Sequence, residues 1–253
     1  MSAPIHVGCS GWVYRHWRET YYPPALPQKQ WFAHYAAEFD TVEINASFYR
    51  LPLLKTFEGW RDKAPAGFRY AVKVNRFITH NKKLLDCREP VTEFAALTRT
   101  LGPHLGPLLH QLPPSLHRND ERLASYLAHL PPELEHVVEF RHGSWYDPAI
   151  LALLDANGVG FVVHDLAGLI SPRWASGRTA YVRFHGTGGR YWGRYSDSQM
   201  ASWAEWLTEQ QAASRSAWAY FNNDIYGHAL EDARTLKRAL ATRAALEPLA
   251  PDV

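Results

Sequence analysis

The chain has 253 residues, with 27 Lys and Arg against 25 Asp and Glu and a formal net charge of +2. That balance excludes a global attraction to nucleic acid or to a membrane surface, so any anion preference must be local. The length suits one large core, and no apolar run approaches the roughly 18 residues that a membrane-spanning helix needs.

A first strand is expected at 5–9, and the residues before it show neither a basic region nor an apolar leader, so the expected location is the cytoplasm. Cys9 and Cys87 are the two cysteines, in neither a CxxC nor a zinc-ligand pattern, and both are expected to stay reduced. Cys9 can be read as a nucleophile, but a small buried thiol is the simpler reading. Residues 10–28 hold Pro23, Pro24 and Pro27 among many aromatics, which describes an ordered, non-helical lid or plug across one end of the fold.

From there strand and helix patterns alternate. Strands are predicted over 41–46, 69–75, 107–112, 136–141, 158–165, 179–185 and 217–222, and helices over 31–39, 91–101, 121–130, 148–156, 198–211 and 230–240. Asp147 before Pro148 reads as an N-cap with proline at the first helical position, and Ser198 can cap the helix that follows it. Residues 166–178 are too short for a full helix and are broken by Gly168, Pro172 and Gly177. The end after Leu246 reads as frayed. Eight strands alternating with helices give an α/β chain and a single TIM-type (β/α)8 barrel over 1–253, with a long loop after strand 1 and a reduced or missing helix after strand 6. No linker, low-complexity segment or internal repeat is evident.

Charged or amide residues recur two apart near strand ends: Glu43 and Asn45, Lys73 and Asn75, Glu139 and Arg141, Arg183 and His185. Such pairs share a strand face. In a barrel wrapped by helices the outward face is apolar, so these pairs should point inward at the carboxyl end, where barrel active sites lie. Glu43 and Glu139 are the acid/base candidates; the alternative is an internal salt network in which Glu43, Glu139 and Asp165 balance Lys73, Arg141 and Arg183. A desolvated Lys73 can form a Schiff base, whereas a paired cation or a phosphate ligand is the commoner use of such a lysine. His185, beside Arg183, is the best acid/base histidine. His80, His110, His142, His164 and His228 also fall near strand ends and could ligate a metal with the acidic residues, yet no HxH or HExxH spacing occurs and no bound metal or cofactor is expected.

After the seventh strand, Gly186, Gly188, Gly189 and Gly193 interleave with Arg190 and Arg194, a composition that can cradle an oxyanion. The loop beginning at Asn222 leads into the last helix, so this end is expected to bind a phosphate or carboxylate. Trp12, Trp17, Trp145 and Trp192 fall in loops and could stack on a sugar or base, while Trp31, Trp60, Trp203 and Trp206 look like core.

Taken together, Gly8-Cys9-Ser10-Gly11-Trp12, Thr41-Val42-Glu43-Ile44-Asn45 with Phe48-Tyr49, Lys73 with Thr79-His80, Gln111-Leu112-Pro113-Pro114, Glu139-Phe140-Arg141-His142 with Ser144-Trp145, Arg183 with His185-Gly186, and Phe221-Asn222-Asn223 resemble the YecE-like family, domain of unknown function seventy-two. The similarity runs in order from about 5 to 240. It implies a TIM-type barrel without an established activity, and it points to Trp12, Glu43, Asn45, Tyr49, Lys73, His80, Gln111, Glu139, Arg141, Trp145, Asp165, Arg183, His185 and Asn222 as site residues. Tyr191 and Tyr195 fit the spaced tyrosines that follow the family's His-Gly, and His110 departs from its usually apolar position.

The leading expectation is a metal-independent barrel enzyme, a hydrolase, isomerase or lyase, acting on an anionic sugar-like or phosphorylated substrate. Glu43, Glu139 and His185 would be catalytic, and Arg141, Arg183 and Lys73 would hold the anion. Nucleic-acid binding or processing, with aromatic loops stacking bases, is a second reading, and a non-catalytic small-ligand sensor a third. No membrane partner is expected, and no signal fixes an oligomeric state.

Overall fold

The structure is a computed structural model that describes residues 3–189 and 191–246; Arg190 and the Pro- and Ala-rich end beyond Leu246 lie outside them. Eight strands close into one barrel in sequence order, every pair parallel: β1 Ile5–Cys9, β2 Thr41–Ile44, β3 Arg69–Lys73, β4 Leu105–Gln111, β5 His136–Glu139, β6 Gly160–His164, β7 Thr179–Phe184 and β8 Ser216–Phe221. The expected TIM-type architecture is therefore the observed one.

Alternation along the strands builds two apolar compartments. Val42, Ile44, Tyr70, Val72, Val138, Phe161, Val163 and Val182 face outward and pack under the helices. Ala71, Leu109, Val137, Val162, Tyr181, Trp218 and Tyr220 fill the barrel interior. Two residues further along the same inner face stand Lys73 after Ala71, Gln111 after Leu109, Glu139 after Val137 and Arg183 after Tyr181. An apolar floor thus carries a polar layer toward the carboxyl ends, as the period-two geometry of a strand requires.

The outer layer comprises α1 Trp31–Ala36, α2 Ala46–Tyr49, α3 Leu54–Arg61, α4 Arg88–Thr98, α5 Asp120–Leu127, α6 Pro148–Ala156, α7 Asp197–Ala212 and α8 His228–Leu246. Asp147 caps α6 through Ala149 N at 2.8 Å, with Pro148 at the first position as expected. α7 is capped by Ser196 rather than Ser198: its hydroxyl accepts from Gln199 N while Gln199 Oε1 accepts from Ser196 N, a reciprocal capping box. The helix α3 is not among the predicted helices, although Trp60 reads as core; Trp60 is only partly buried, Phe57 is the helix's one buried residue and Gly59 interrupts it. No helix occupies 165–178 after β6, again as expected.

The long loop after β1 is ordered. Its turn Arg15–Trp17 places Trp17 in the core, and Tyr22 stacks on Trp31 with centroids 4.4 Å apart. Beside it, β1 and β2 approach closely at Gly8, where a Cβ would stand 2.2 Å from the Thr41 carbonyl oxygen. A side chain there is incompatible with the barrel.

Candidate functional site

At the carboxyl end of the strands lies a cavity of about 900 Å³, lined from the loops after β1, β2, β7 and β8 and from the ends of β3 and β4. Ser10, Asn45, Lys73, Gln111, Arg183 and Asn222 form its polar base, and Tyr14, Tyr49, Tyr191 and Tyr226 rise around it. Tyr49 and Tyr226 are 71% and 82% exposed, so the upper wall is aromatic and open to solvent.

Beneath this base sits the ion network. The guanidinium of Arg183 donates from Nε to Glu43 Oε2 at 2.9 Å and from Nη2 to Glu43 Oε1 at 2.7 Å, while Nη1 reaches Glu139 Oε2 at 2.7 Å. Glu43 also accepts from Tyr181 at 2.8 Å, Ser10 at 2.8 Å and Asn45 at 3.1 Å. Arg141 pairs with the remaining oxygen of Glu139. Burial alone would raise both carboxyls, but Arg183 at Glu43, and Arg141 with Arg183 at Glu139, hold them below the usual carboxylate range. Both glutamates are 0% exposed and neither lines the cavity. Of the two sequence readings, the internal salt network is the one this geometry resembles, with both carboxylates paired to guanidiniums beneath the cavity lining.

His185 is also withdrawn. Its Nε2 lies 3.0 Å from Arg141 Nη2, and since a guanidinium only donates, that nitrogen must accept and the ring proton must sit on Nδ1. Desolvation first, and then the nearby guanidiniums, lower its pKa to about 4. Asp165 accepts from the His185 amide at 2.7 Å and from the Tyr195 hydroxyl, which places it behind His185 and outside the cavity.

Other expected residues separate in the same way. Asn45, Tyr49, Lys73, Gln111, Arg183, Tyr191 and Asn222 converge on the cavity, and Arg141 joins Gln111 and Tyr191 around an adjoining pocket of about 310 Å³. Trp145 does not converge: it is buried against Phe140 and donates to the Leu116 carbonyl at 2.7 Å. Trp12 packs edge-on to Phe32. His80 bonds to Thr79 and meets the edge of Phe48. Arg194 turns to the carboxylates of Glu231 and Asp232 on α8. His110 points outward to Tyr126 and His136. Cys9 is buried, which pushes its thiol up and disfavours the thiolate a nucleophile needs. Among the described residues no three His, Cys, Asp or Glu side chains group as a metal-binding set.

The glycine-rich loop after β7 is a folded turn around Trp192, with the Gly186, Gly188 and Tyr191 amides donating to Tyr195, Trp192 and His185. Those amides are not free to cradle an oxyanion. Gly186 has φ +100° and a Cβ there would lie 2.1 Å from the Trp192 carbonyl oxygen, so the turn requires glycine.

Lys73, expected from the sequence to face inward, lines the cavity with no carboxylate in ion-pair contact among the described residues, its Nζ resting 4.0 Å above the Phe48 ring. Desolvation, followed by repulsion from Arg183, lowers its pKa to about 7. Asp224, after β8, was not a candidate at all. Its carboxylate accepts from Trp17 Nε1 at 2.6 Å and meets His16 Nε2 at 2.8 Å, and desolvation raises its pKa to about 6. Both His16 and Asp224 line the cavity. They lie 208 residues apart, and only the closure of β1 on β8 brings them together.

A closed parallel barrel with its polar cavity at the strands' carboxyl ends defines a TIM-type barrel protein. The model of the family described as "Protein of unknown function DUF72" matches residues 6–252, and the chain belongs to that family. It is similar to UPF0759 protein YunF of Bacillus subtilis, 25% identical over 93% of this chain and 94% of that protein. UPF0759 protein YecE of Escherichia coli is 34% identical over 44% of this chain and 42% of that protein. A DUF72 crystal structure from Thermotoga maritima superposes with a TM-score of 0.85 at 28% identity, covering 94% of this chain and 99% of that one. One from Enterococcus faecalis, at 20% identity and a TM-score of 0.80, covers 98% and 97% and shares the fold.

Proposed function

We propose that this barrel is an enzyme acting on a small anionic, sugar-like substrate held at the carboxyl end of its strands. The observation that carries the reading is Lys73. Arg183 and Arg141 are neutralised by Glu43 and Glu139, so among the described residues Lys73 is the lysine or arginine lining the cavity that is left without a carboxylate. A bound phosphate or carboxylate would supply the missing charge, draw a proton onto the amine and gain a charge-assisted hydrogen bond.

The rest of the cavity suits a polyhydroxylated body. Amides of Asn45, Gln111 and Asn222 both donate and accept, and the tyrosine wall offers apolar ring faces to sugar C–H groups. Titrating the protein calorimetrically with inorganic phosphate, glucose 6-phosphate, glucuronate, glucose and a single-stranded oligonucleotide tests this. Binding of the small anions, lost in Lys73→Met, is expected. Binding of the oligonucleotide alone, or small-anion binding unchanged in Lys73→Met, would overturn the reading, and a sugar anion bound tightly but recovered unchanged would replace the enzyme with a sensor.

A further inference from the structure

We propose that Lys73 is a covalent catalyst, condensing through Nζ with the carbonyl of an anionic aldehyde or ketone, with the His16–Asp224 pair on the same cavity moving the protons. This rests on the reading that the cavity accepts a small anion and adds the functional group that reacts.

An imine-forming lysine must be reachable, unencumbered and neutral for part of the time. Lys73 meets the first two conditions by position: its amine opens on the cavity, its stem is packed inside the barrel, and its neighbour is the Phe48 ring rather than a carboxylate. A lysine meant only to neutralise Glu43 or Glu139 would stand in contact with one of them, yet Arg183 and Arg141 hold those places. The third condition follows from the same arrangement, since burial first, and then Arg183 and Arg141, disfavour the charged amine against the opposing pull of Glu139 and Glu43; the amine is pushed down to about 7.

Condensation also needs proton transfer. The neutral amine adds to the carbonyl carbon, a proton passes from the new ammonium nitrogen to the oxygen, and the carbinolamine loses water when a neighbouring acid protonates that hydroxyl, leaving a protonated imine. Hydrolysis reverses the sequence and returns the lysine. His16 Nε2 lies 2.8 Å from Asp224 Oδ2 and 2.9 Å from the Asp224 carbonyl oxygen, and both residues line the cavity. Trp17 Nε1 fixes Asp224 from behind, so this carboxyl is oriented and still accessible. The structural alternative is a clasp between the β1 and β8 loops, and proton transfer distinguishes the two.

The test is reductive trapping on the full-length protein with glycolaldehyde phosphate or dihydroxyacetone phosphate and cyanoborohydride, read by peptide mass spectrometry. Hydride addition to the imine carbon converts it to a stable secondary amine. The adduct is expected on Lys73, forming about tenfold or more faster than on exposed Lys55 and Lys63 and rising with a midpoint near pH 7. Lys73→Arg should keep phosphate binding and abolish trapping. Asp224→Asn, which keeps an acceptor for Trp17, should slow trapping severalfold while leaving the midpoint near 7 that Lys73 sets; trapping at the wild-type rate would make the pair a mere clasp. Equal labelling of Lys73 and the exposed lysines, or none at Lys73, would overturn the covalent role. If Lys73→Arg still binds phosphate in that case, the anion-binding reading survives; if the wild-type protein binds neither phosphate nor sugar phosphate, both fall.

Discussion

Arg183 and Glu43 meet edge to edge, the guanidinium giving Nε and Nη2 to the two carboxylate oxygens at 2.9 and 2.7 Å inside the barrel. A bidentate pair this deeply buried is a structural element whose removal leaves an uncompensated buried charge.

Glu43→Gln is therefore expected to cost about 3 to 5 kcal/mol in urea unfolding, and Arg183→Met a similar amount. Both losses should exceed any from Lys73→Met. A Glu43→Gln protein as stable as wild type would mean that this carboxylate is not the partner on which Arg183 depends.

Lys73→Met should stabilise the protein below neutral pH. At pH 6 the amine is charged in both folded and unfolded chains, and the folded state bears the whole cost of burying it. Between about 7 and ~10.4 the unfolded chain holds more protons, so wild-type stability rises with pH. The variant's advantage is thus largest near pH 6, about 2 to 4 kcal/mol, and shrinks toward pH 10. Urea midpoints across that range are the measurement.

Asp224 has the opposite slope. Its folded pKa of about 6 lies above the unfolded value, so the stability it contributes is complete below about 4 and is lost as pH rises through 6. The indole N–H resonance of Trp17, which donates to this carboxyl, should shift with a midpoint near 6 in the wild-type protein and stay flat in Asp224→Asn.

Gly186→Ala should unfold the turn that presents Tyr191. A Cβ cannot share space with the Trp192 carbonyl, and φ +100° is a region other residues avoid. Phosphate affinity is expected to fall several-fold while the barrel's far-ultraviolet circular dichroism is retained; unchanged affinity would show that Tyr191 does not shape the cavity.

The barrel was legible because its signal is repeated. Strand and helix periods alternate around the chain, and each inward polar residue stands two positions beyond an apolar one, as Tyr181 and Arg183 or Val137 and Glu139 show. The missing helix after β6 was readable from Gly168, Pro172 and Gly177. α3 was not, because its one buried residue gives no period to detect.

Within the site, strand alternation determined that Glu43, Lys73, Glu139 and Arg183 point inward, since a helix-covered barrel admits no other face for charge. Which of them pair was decided by distance across the barrel, and no sequence spacing encodes that. Glu43 and Arg183 are 140 residues apart and in bidentate contact, while Lys73 shares their layer and pairs with neither carboxylate. Asp224 and His16 became neighbours only when β8 closed against β1. Hydrophobic periodicity, a local property, determined the fold from the sequence; charge compensation, a property of three-dimensional proximity, left the cavity to Lys73, His16 and Asp224 rather than to the two glutamates.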